Sequence, residues 1–171
     1  TIALIILVLM LASSAAYCAG NTDNHIANFA SNSIIPFAVL GEASLLAFGG
    51  SRAKQEAMQG AKAMMATGAT VQLLKHTVRE RRPDSNSRDS FPSGHTALAF
   101  TTATLISDYH PKWEIPAYGA AALIGWSRVE LREHRWRDVI AGALLGHFVA
   151  RQFTKQHFAI TPGGVEFQTS W

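Results

Sequence analysis

The chain has 171 residues, which is enough for one domain with a hydrophobic core and too few for two ordinary domains. Hydrophobic residues make up 48% and charged residues 16%, a balance that excludes an intrinsically disordered chain. The net charge of +3 is too small for a general nucleic-acid binder, so no nucleic-acid partner is predicted. Because Cys18 is the single cysteine, an intrachain disulfide and a cysteine-based zinc site are also excluded.

The first 20 residues are almost entirely apolar or small. An unbroken apolar run covers residues 2–12, and the first charged residue is Asp23. This pattern is typical of an export signal, and it also suits a membrane anchor if residues 17–20 extend the run. We therefore predict that segment 1–20 is a signal peptide or a membrane anchor. The protein is then expected in the cell envelope, exported, periplasmic or anchored, with its functional site outside the cytoplasm.

From residue 25 to residue 157 the apolar residues recur at helical spacing. Glycine and proline clusters interrupt the pattern and predict five helices, over residues 25–49, 52–80, 93–108, 113–128 and 135–156. The predicted fold class is all-α: a compact bundle of about five core helices, at residues 25–157, plus an N-terminal apolar helix. Residues 158–171 are predicted to form a C-terminal tail with a turn and a short strand.

The uncharged stretches inside these helices are short. Residues 63–74 and 115–127 lack charged side chains, and at 1.5 Å per residue they reach only about 18–20 Å. The hydrocarbon core of a bilayer is about 30 Å thick, so neither stretch is long enough to span it comfortably. The sequence therefore predicts a helical bundle at or near a membrane surface.

Two polar clusters lie at the ends of predicted helices. The first lies where one helix ends, and the second lies directly before the next helix. Lys75 and Arg82 are seven residues apart, about two helical turns, so we expect both cations on one side of a helix that Pro83 helps to end. A solvated basic helix end is the alternative interpretation. The segment Pro92-Ser93-Gly94-His95 directly precedes an apolar helix, whose free N–H groups can bind an anion beside the Ser93 hydroxyl. A plain helix cap is the alternative.

The third cluster combines Ser127-Arg128 with His134 and Asp138. With a spacing of four, His134 and Asp138 are expected on one helical face, where the carboxylate fixes the imidazole tautomer and prepares a nucleophile or base. Arg128 adds a planar donor group that suits phosphate oxygens. A simple surface contact between the histidine and the aspartate is the alternative.

Together, the three clusters resemble the signature of the type 2 phosphatidic acid phosphatase superfamily. Every signature position is present, as Lys75-x6-Arg82-Pro83, Pro92-Ser93-Gly94-His95 and Ser127-Arg128-x5-His134-x3-Asp138. The resemblance covers about residues 52–156 and implies a phosphatase that needs no metal. We accordingly predict no cofactor and no metal ligands.

The resemblance also implies a role for each matching residue. His134 would attack phosphorus and form a phosphohistidine, Asp138 would orient its ring, and His95 would protonate the leaving alcohol. Five residues would bind the phosphate oxygens: Lys75, Arg82, Ser93, Gly94 and Arg128. The apolar composition and the N-terminal segment favour a phosphorylated lipid over a small phosphoester as substrate.

Three other functions compete with a lipid phosphatase. A soluble phosphomonoesterase would use the same mechanism. A vanadium haloperoxidase would use the same residues to hold vanadate, but we find no extra segment for a halide site. A non-catalytic protein that binds phosphate or lipid headgroups would have no need of His134 and Asp138, and both are present. The signature recognises the phosphate alone and predicts neither the rest of the ester nor an oligomeric state.

Overall fold

The computed structural model describes residues 50–154 with their side chains, and the backbone of residues 157–161 and 164–168. Within these residues the chain forms four α-helices: α1 (Ser51–Val78), α2 (Gly94–Tyr109), α3 (Glu114–Glu130) and α4 (Trp136–Thr154). A short 3-10 turn, Pro111–Trp113, connects α2 to α3. The predicted helical fold is confirmed. The predicted helix at 25–49 and the N-terminal segment lie outside the described residues.

A two-stranded hairpin follows the bundle. Strand β1 (His157–Thr161) pairs antiparallel with β2 (Gly164–Gln168), and Ile160 lies opposite Val165. The sequence predicted one strand in this segment, whereas the structure has two. A single strand would leave its backbone N–H and C=O groups without partners, and the second strand supplies them.

Helix α2 is the centre of the bundle and packs against α1, α3 and α4. Its buried side chains are mostly alanine and threonine, which are small enough for neighbouring helices to approach closely. The buried threonines satisfy their hydroxyl groups locally: Thr101 Oγ1 donates to the backbone carbonyl of Ala97 and lies 2.9 Å from Thr67 Oγ1. The core of this domain is therefore tightly packed but partly polar.

Two glycines let α4 cross directly over the first turns of α2. A Cβ atom at Gly142 would lie 2.5 Å from the backbone oxygen of Ser93, and one at Gly146 would overlap the carbonyl of Ala97. Only a residue without a side chain fits at either position. The crossing places the first turn of α4 beside the start of α2, where the backbone N–H of Ser93 donates to the carbonyl of Asp138 at 3.0 Å.

The four helices alternate in direction, so their ends collect at two poles. Helices α1 and α3 end at the pole where α2 and α4 begin, and the three polar clusters lie there. At the opposite pole, Arg52 from the start of α1 lines a small cavity with Tyr109, Phe153 and Thr154 from the ends of α2 and α4. We call the first of these the site pole.

Candidate active site

An open cavity of about 590 Å³ lies at the site pole. Five of the predicted site residues line it: Lys75, Arg82, Gly94, His95 and His134. The other three, Ser93, Arg128 and Asp138, are buried directly behind its wall. The structure thus brings all three polar clusters together. Two of the residues, however, lie outside the helices in which they were expected.

The first difference concerns Arg82. Helix α1 was predicted to reach residue 80, but it ends at Val78 because Arg79 adopts a left-handed backbone with φ 49°. Arg82 therefore lies in the following loop and not two turns along the helix from Lys75. Asp89 joins the two cations instead: its carboxylate accepts two hydrogen bonds from Arg82, at 2.8 and 2.9 Å, and its backbone oxygen accepts from Lys75.

The second difference concerns His134. It was expected on a helical face with Asp138, but α4 begins only at Trp136, so His134 lies in the preceding turn. The helix begins there because Asp138 reaches back with Oδ2 to accept the backbone N–H of Arg135 at 2.9 Å, as acidic residues in a first turn often do. His134 still faces Asp138, with Nδ1 3.8 Å from Oδ2.

The histidine and the aspartate are both sheltered from solvent. His134 is 3% exposed and Asp138 is 0% exposed. Within the described residues His134 Nδ1 and Asp138 Oδ1 are buried and make no hydrogen bond. A shift of about 1 Å would bring the imidazole to hydrogen-bond distance of the carboxylate. Because Nδ1 faces Asp138, Nε2 is the ring nitrogen available for chemistry in the cavity.

The start of α2 forms another part of the cavity wall. Ser93 immediately precedes the helix and is fully buried, and its Oγ accepts a hydrogen bond from Thr96 at 2.9 Å. Gly94 and His95 follow in the first turn and line the cavity. The free N–H groups of a helix start carry partial positive charge, so this wall favours an anion.

Arg128 reaches the site from the last turn of α3. Its side chain is buried, and its guanidinium donates to Glu133 Oε2. Arg82 donates to the same carboxylate oxygen at 2.9 Å. Lys75 and Arg82 therefore line the cavity together with His134, and the buried Arg128 is close enough for its charge to act on the same imidazole.

Burial and these cations both act on the histidines. Burial, then the charges of Lys75, Arg128 and Arg82, lower the pKa of His134 to about 4, and the Asp138 carboxylate opposes them. Burial, followed by the charge of Arg128, lowers the pKa of His95 to about 4. Both imidazoles are therefore neutral near pH 7 in the phosphate-free site. Burial also lowers the pKa of Lys75.

Three residues of the site were not predicted: Ser90, Asp89 and Glu133. Ser90 is buried and donates to Asp138 Oδ2 at 2.6 Å. Asp89 and Glu133 are the carboxylates that hold the cations. Their positions in the sequence could have indicated them, because each lies within a few residues of a signature cluster. Two of them are also acidic residues that directly follow an arginine. Their partners come from distant parts of the chain, which spacing alone does not reveal.

Comparison with known proteins adds to this geometry. The family model described as PAP2 superfamily matches residues 57–162, which is more than half of the chain. The chain belongs to the PAP2 superfamily. The match confirms the resemblance inferred from the three clusters, all of which fall inside it.

Relatives of this PAP2 chain include two curated lipid phosphatases. It is 36% identical over 90 residues to lipid A 1-phosphatase of Porphyromonas gingivalis, covering 50% of this chain and 20% of that protein. It is 40% identical over 84 residues to lipid phosphate phosphatase 1 of Arabidopsis thaliana, covering 37% of this chain and 25% of that protein. The chain thus spans about a quarter or less of the length of these relatives.

A solved structure supports the same fold for the PAP2 chain. The crystal structure of Aquifex aeolicus LpxE superposes with a TM-score of 0.61 at 26% sequence identity, covering 80% of this chain and 88% of that chain. The similarity extends over most of both molecules. The helical bundle described above is therefore the arrangement found in an experimentally determined relative.

Proposed function

We propose that this PAP2 protein hydrolyses phosphate or diphosphate esters of lipids through a phosphohistidine intermediate on His134. The observation that carries the proposal is the buried, neutral imidazole of His134, which faces Asp138 on one side and a cation-lined cavity on the other. A neutral imidazole is a nucleophile, and a cationic pocket brings a phosphoryl group to it.

The first step transfers the phosphoryl group to the enzyme. His134 Nε2 attacks phosphorus and forms a P–N bond while the ester P–O bond breaks, and His95 gives its proton to the departing alkoxide. Lys75, Arg82 and Arg128 stabilise the charge on the non-bridging oxygens, together with the backbone N–H groups at the start of α2. Asp138 stabilises the positive charge that develops on the His134 ring.

The second step regenerates the enzyme. His95, now neutral, takes a proton from a water molecule, whose oxygen attacks phosphorus as the P–N bond breaks. Inorganic phosphate and neutral His134 result. His95 must be protonated for the first step although its pKa is about 4 in the free site. The negative charge of a bound phosphate favours the protonated form, so substrate binding itself prepares the acid.

A lipid substrate is supported by the names of the two relatives, which are both lipid phosphatases, and by the surface of α4. Four apolar side chains, each more than half exposed, recur every fourth residue along this helix: Trp136, Ile140, Leu144 and Phe148. We call them the apolar stripe. Arg135 and Arg137 flank its first member, and aromatic and cationic residues together favour the interface of a lipid bilayer. The proposed contact of the apolar stripe is therefore with lipid.

Within residues 50–154, no helix combines the length and apolar character that crossing a bilayer requires. Export to the cell envelope, with segment 1–20 as a signal peptide or anchor, is part of the same proposal. Fusing a phosphatase reporter that is active only outside the cytoplasm to residue 171 tests it, and an inactive reporter would contradict it.

The experiment that tests the enzymatic proposal measures inorganic phosphate release, with EDTA present, from a panel of lipid phosphates, lipid diphosphates and soluble phosphomonoesters. Wild-type protein is expected to release phosphate from lipids, and His134→Ala is expected to abolish release. Turnover of soluble esters alone would keep the mechanism and overturn the lipid assignment. No turnover by folded protein would overturn the mechanism and favour phosphate binding or a haloperoxidase.

Flotation with vesicles of phosphatidylcholine and phosphatidylglycerol tests the lipid contact. Leu144→Ser combined with Phe148→Ser is expected to reduce the bound fraction severalfold, because it removes two apolar side chains from the apolar stripe. The control is Gln55→Ser, an exposed polar position on α1 that is expected to leave binding unchanged. Equal binding of the double variant and wild type would overturn the contact.

A further inference from the structure

Glu133 joins two of the three cations of the site through a single oxygen atom. Its Oε2 accepts a hydrogen bond from Arg82 NH1 at 2.9 Å and another from Arg128 NH2. The two arginines come from different elements, the loop after α1 and the last turn of α3. Glu133 therefore links the two guanidinium groups directly and holds them near each other.

The backbone holds Glu133 firmly in this position. The chain turns after α3 through Arg132, whose φ is 55°, and the backbone N–H groups of Glu133 and His134 both donate to the carbonyl of Arg128. The side chain of Glu133 is 26% exposed, so the pair with Arg128 is shielded from much of the solvent. Glu133 and its neighbour His134 are thus fixed relative to Arg128 by the same turn.

Arg82 is oriented by carboxylates on both edges. Its Nε and NH2 donate to the two oxygens of Asp89, while NH1 donates to Glu133. A guanidinium has five N–H groups, so these bonds fix its plane and leave further N–H groups for a phosphate oxygen. Without Glu133, the edge of Arg82 that faces Arg128 would have no such partner.

We propose that Glu133 is a positioning residue for the reaction. It holds Arg82 and Arg128 side by side at the spacing that the phosphoryl group needs, and its negative charge limits how tightly the site retains the phosphate product. The inference rests on the proposed function. Positioning acts on the transition state, where a misplacement of about 1 Å can reduce the rate about 100-fold. The charge acts on the bound anion itself.

These two effects predict a loss of reaction rate together with a gain in phosphate affinity. Glu133→Gln keeps an oxygen acceptor between the arginines but removes a negative charge. Its kcat is expected to fall modestly, and the dissociation constant of inorganic phosphate is expected to fall about fivefold. Glu133→Ala removes the acceptor as well, so its kcat is expected to fall about 10- to 100-fold. A loss of folded protein would lower kcat without tightening phosphate binding.

The experiment measures kcat on the substrate found in the release panel, phosphate affinity by titration calorimetry, and the melting temperature of each variant. Glu130→Gln is the matched control, because it removes the same charge from an exposed position three residues away. The control is expected to match wild type in all three measurements. The expected order of kcat is wild type, then Glu133→Gln, then Glu133→Ala.

Three results would overturn the proposal: Glu133→Ala with at least half of the wild-type kcat, Glu133→Gln as impaired as Glu133→Ala, or losses of kcat that follow the melting temperature with phosphate affinity unchanged. Failure of the proposed function is separate and visible, since wild type would then release no phosphate from any substrate. Calorimetry with inorganic phosphate compares the variants in that case too, and unchanged affinity in Glu133→Gln would then overturn the role of its charge.

Discussion

Asp138 connects three parts of the site. Its Oδ2 accepts from the Ser90 hydroxyl at 2.6 Å and from the backbone N–H of Arg135 at 2.9 Å, and its backbone oxygen accepts from the N–H of Ser93. The carboxylate therefore caps the start of helix α4 and faces the imidazole of His134, while the backbone oxygen joins α4 to the start of α2. Fixing one carboxylate from several sides keeps it oriented when the charge on the imidazole changes.

Ser90→Ala tests whether this support matters for catalysis. The change removes one of the two hydrogen bonds to Asp138 Oδ2 in a fully buried place. We expect kcat to fall about tenfold and the free energy of unfolding to fall by about 1–3 kcal/mol. Steady-state kinetics and urea unfolding measure the two effects. Ser87→Ala, an exposed position in the same loop, is the control, and an unchanged kcat in Ser90→Ala would contradict the prediction.

The lowered pKa values of His95 and His134 predict how stability depends on pH. Each falls from an ordinary value of 6.5 to about 4 in the folded protein, so the unfolded chain binds more protons in that window. Stability is therefore full above about pH 6.5 and decreases as the pH falls toward 4. We expect the melting temperature to decrease over this range, and to decrease less in the double variant His95→Asn/His134→Asn. Equal decreases of the melting temperature with pH in wild type and in the double variant would contradict this prediction.

At the scale of elements, the crossing of α4 over α2 decides where the site residues lie. Gly142 is one turn after Asp138, and its missing side chain leaves room for the backbone oxygen of Ser93. Any side chain there would push the first turn of α4 away from the start of α2. The geometry of the candidate site and the packing of the helices are thus set by the same contact.

Gly142→Ala is expected to destabilise the protein by about 1–3 kcal/mol and to lower kcat, because the added methyl group overlaps the backbone. Gly119→Ala on α3 is the matched control. It adds the same methyl group where no atom lies within 4 Å, and removing a glycine from a helix interior should stabilise by up to about 1 kcal/mol. Urea unfolding and steady-state kinetics of both variants measure these changes. Equal effects of the two substitutions on stability and kcat would contradict the prediction.

The helices and the grouping of the signature residues at one site were predictable from the sequence, but the end of α1 and the start of α4 were not. Apolar periodicity located α1 to α4 to within about two residues, because burial of one face requires that pattern. The left-handed Arg79 and the capping carboxylate of Asp138 moved Arg82 and His134 out of helices. The left-handed backbone of Arg79 could not be predicted, because arginine rarely adopts it and the composition does not indicate it. The cap by Asp138 could not be predicted either, because at this spacing the carboxylate could equally face the histidine from within the helix.

The hydrogen bonds between the site residues were also not predicted, for a related reason. Spacing identifies residues that share a short segment, such as His134 and Asp138. It does not pair Ser90 with Asp138 or Arg82 with Glu133, since these contacts depend on how the loops at the site pole fold over one another. The fold class and the signature residues can be recognised from local sequence patterns. The residues that hold them in place, Ser90, Asp89 and Glu133, are brought there by tertiary packing.

At the scale of the whole molecule, positive charge surrounds the entrance to the cavity. Arg79 and Arg88 line it together with the cations that face His134. Farther from the cavity, Arg135 and Arg137 are paired with Glu80. Asp89 also lines the cavity, but the cations outnumber it, and a concave surface with an excess of one charge raises the local concentration of an oppositely charged substrate.

Arg79→Ala combined with Arg88→Ala is therefore expected to lower kcat/KM severalfold at low ionic strength, with a smaller loss at high salt. Initial rates at two salt concentrations measure the effect. Lys54→Ala combined with Lys62→Ala removes the same charge from exposed positions of α1 outside the cavity lining, and should leave kcat/KM nearly unchanged. A salt-independent loss, or an equal loss in the lysine variant, would contradict steering by the cavity.

Because the residues proposed to react lie at one pole, the other pole is open to redesign. The connection from α2 to α3 runs through His110, Pro111 and Lys112, all exposed and at the far end of the bundle from His134. Exposed connections of this kind accept inserted domains most readily. A fluorescent protein spliced between residues 110 and 111 would thus serve as an internal reporter that tracks the protein in living cells, placed at the far end of the bundle from the proposed site.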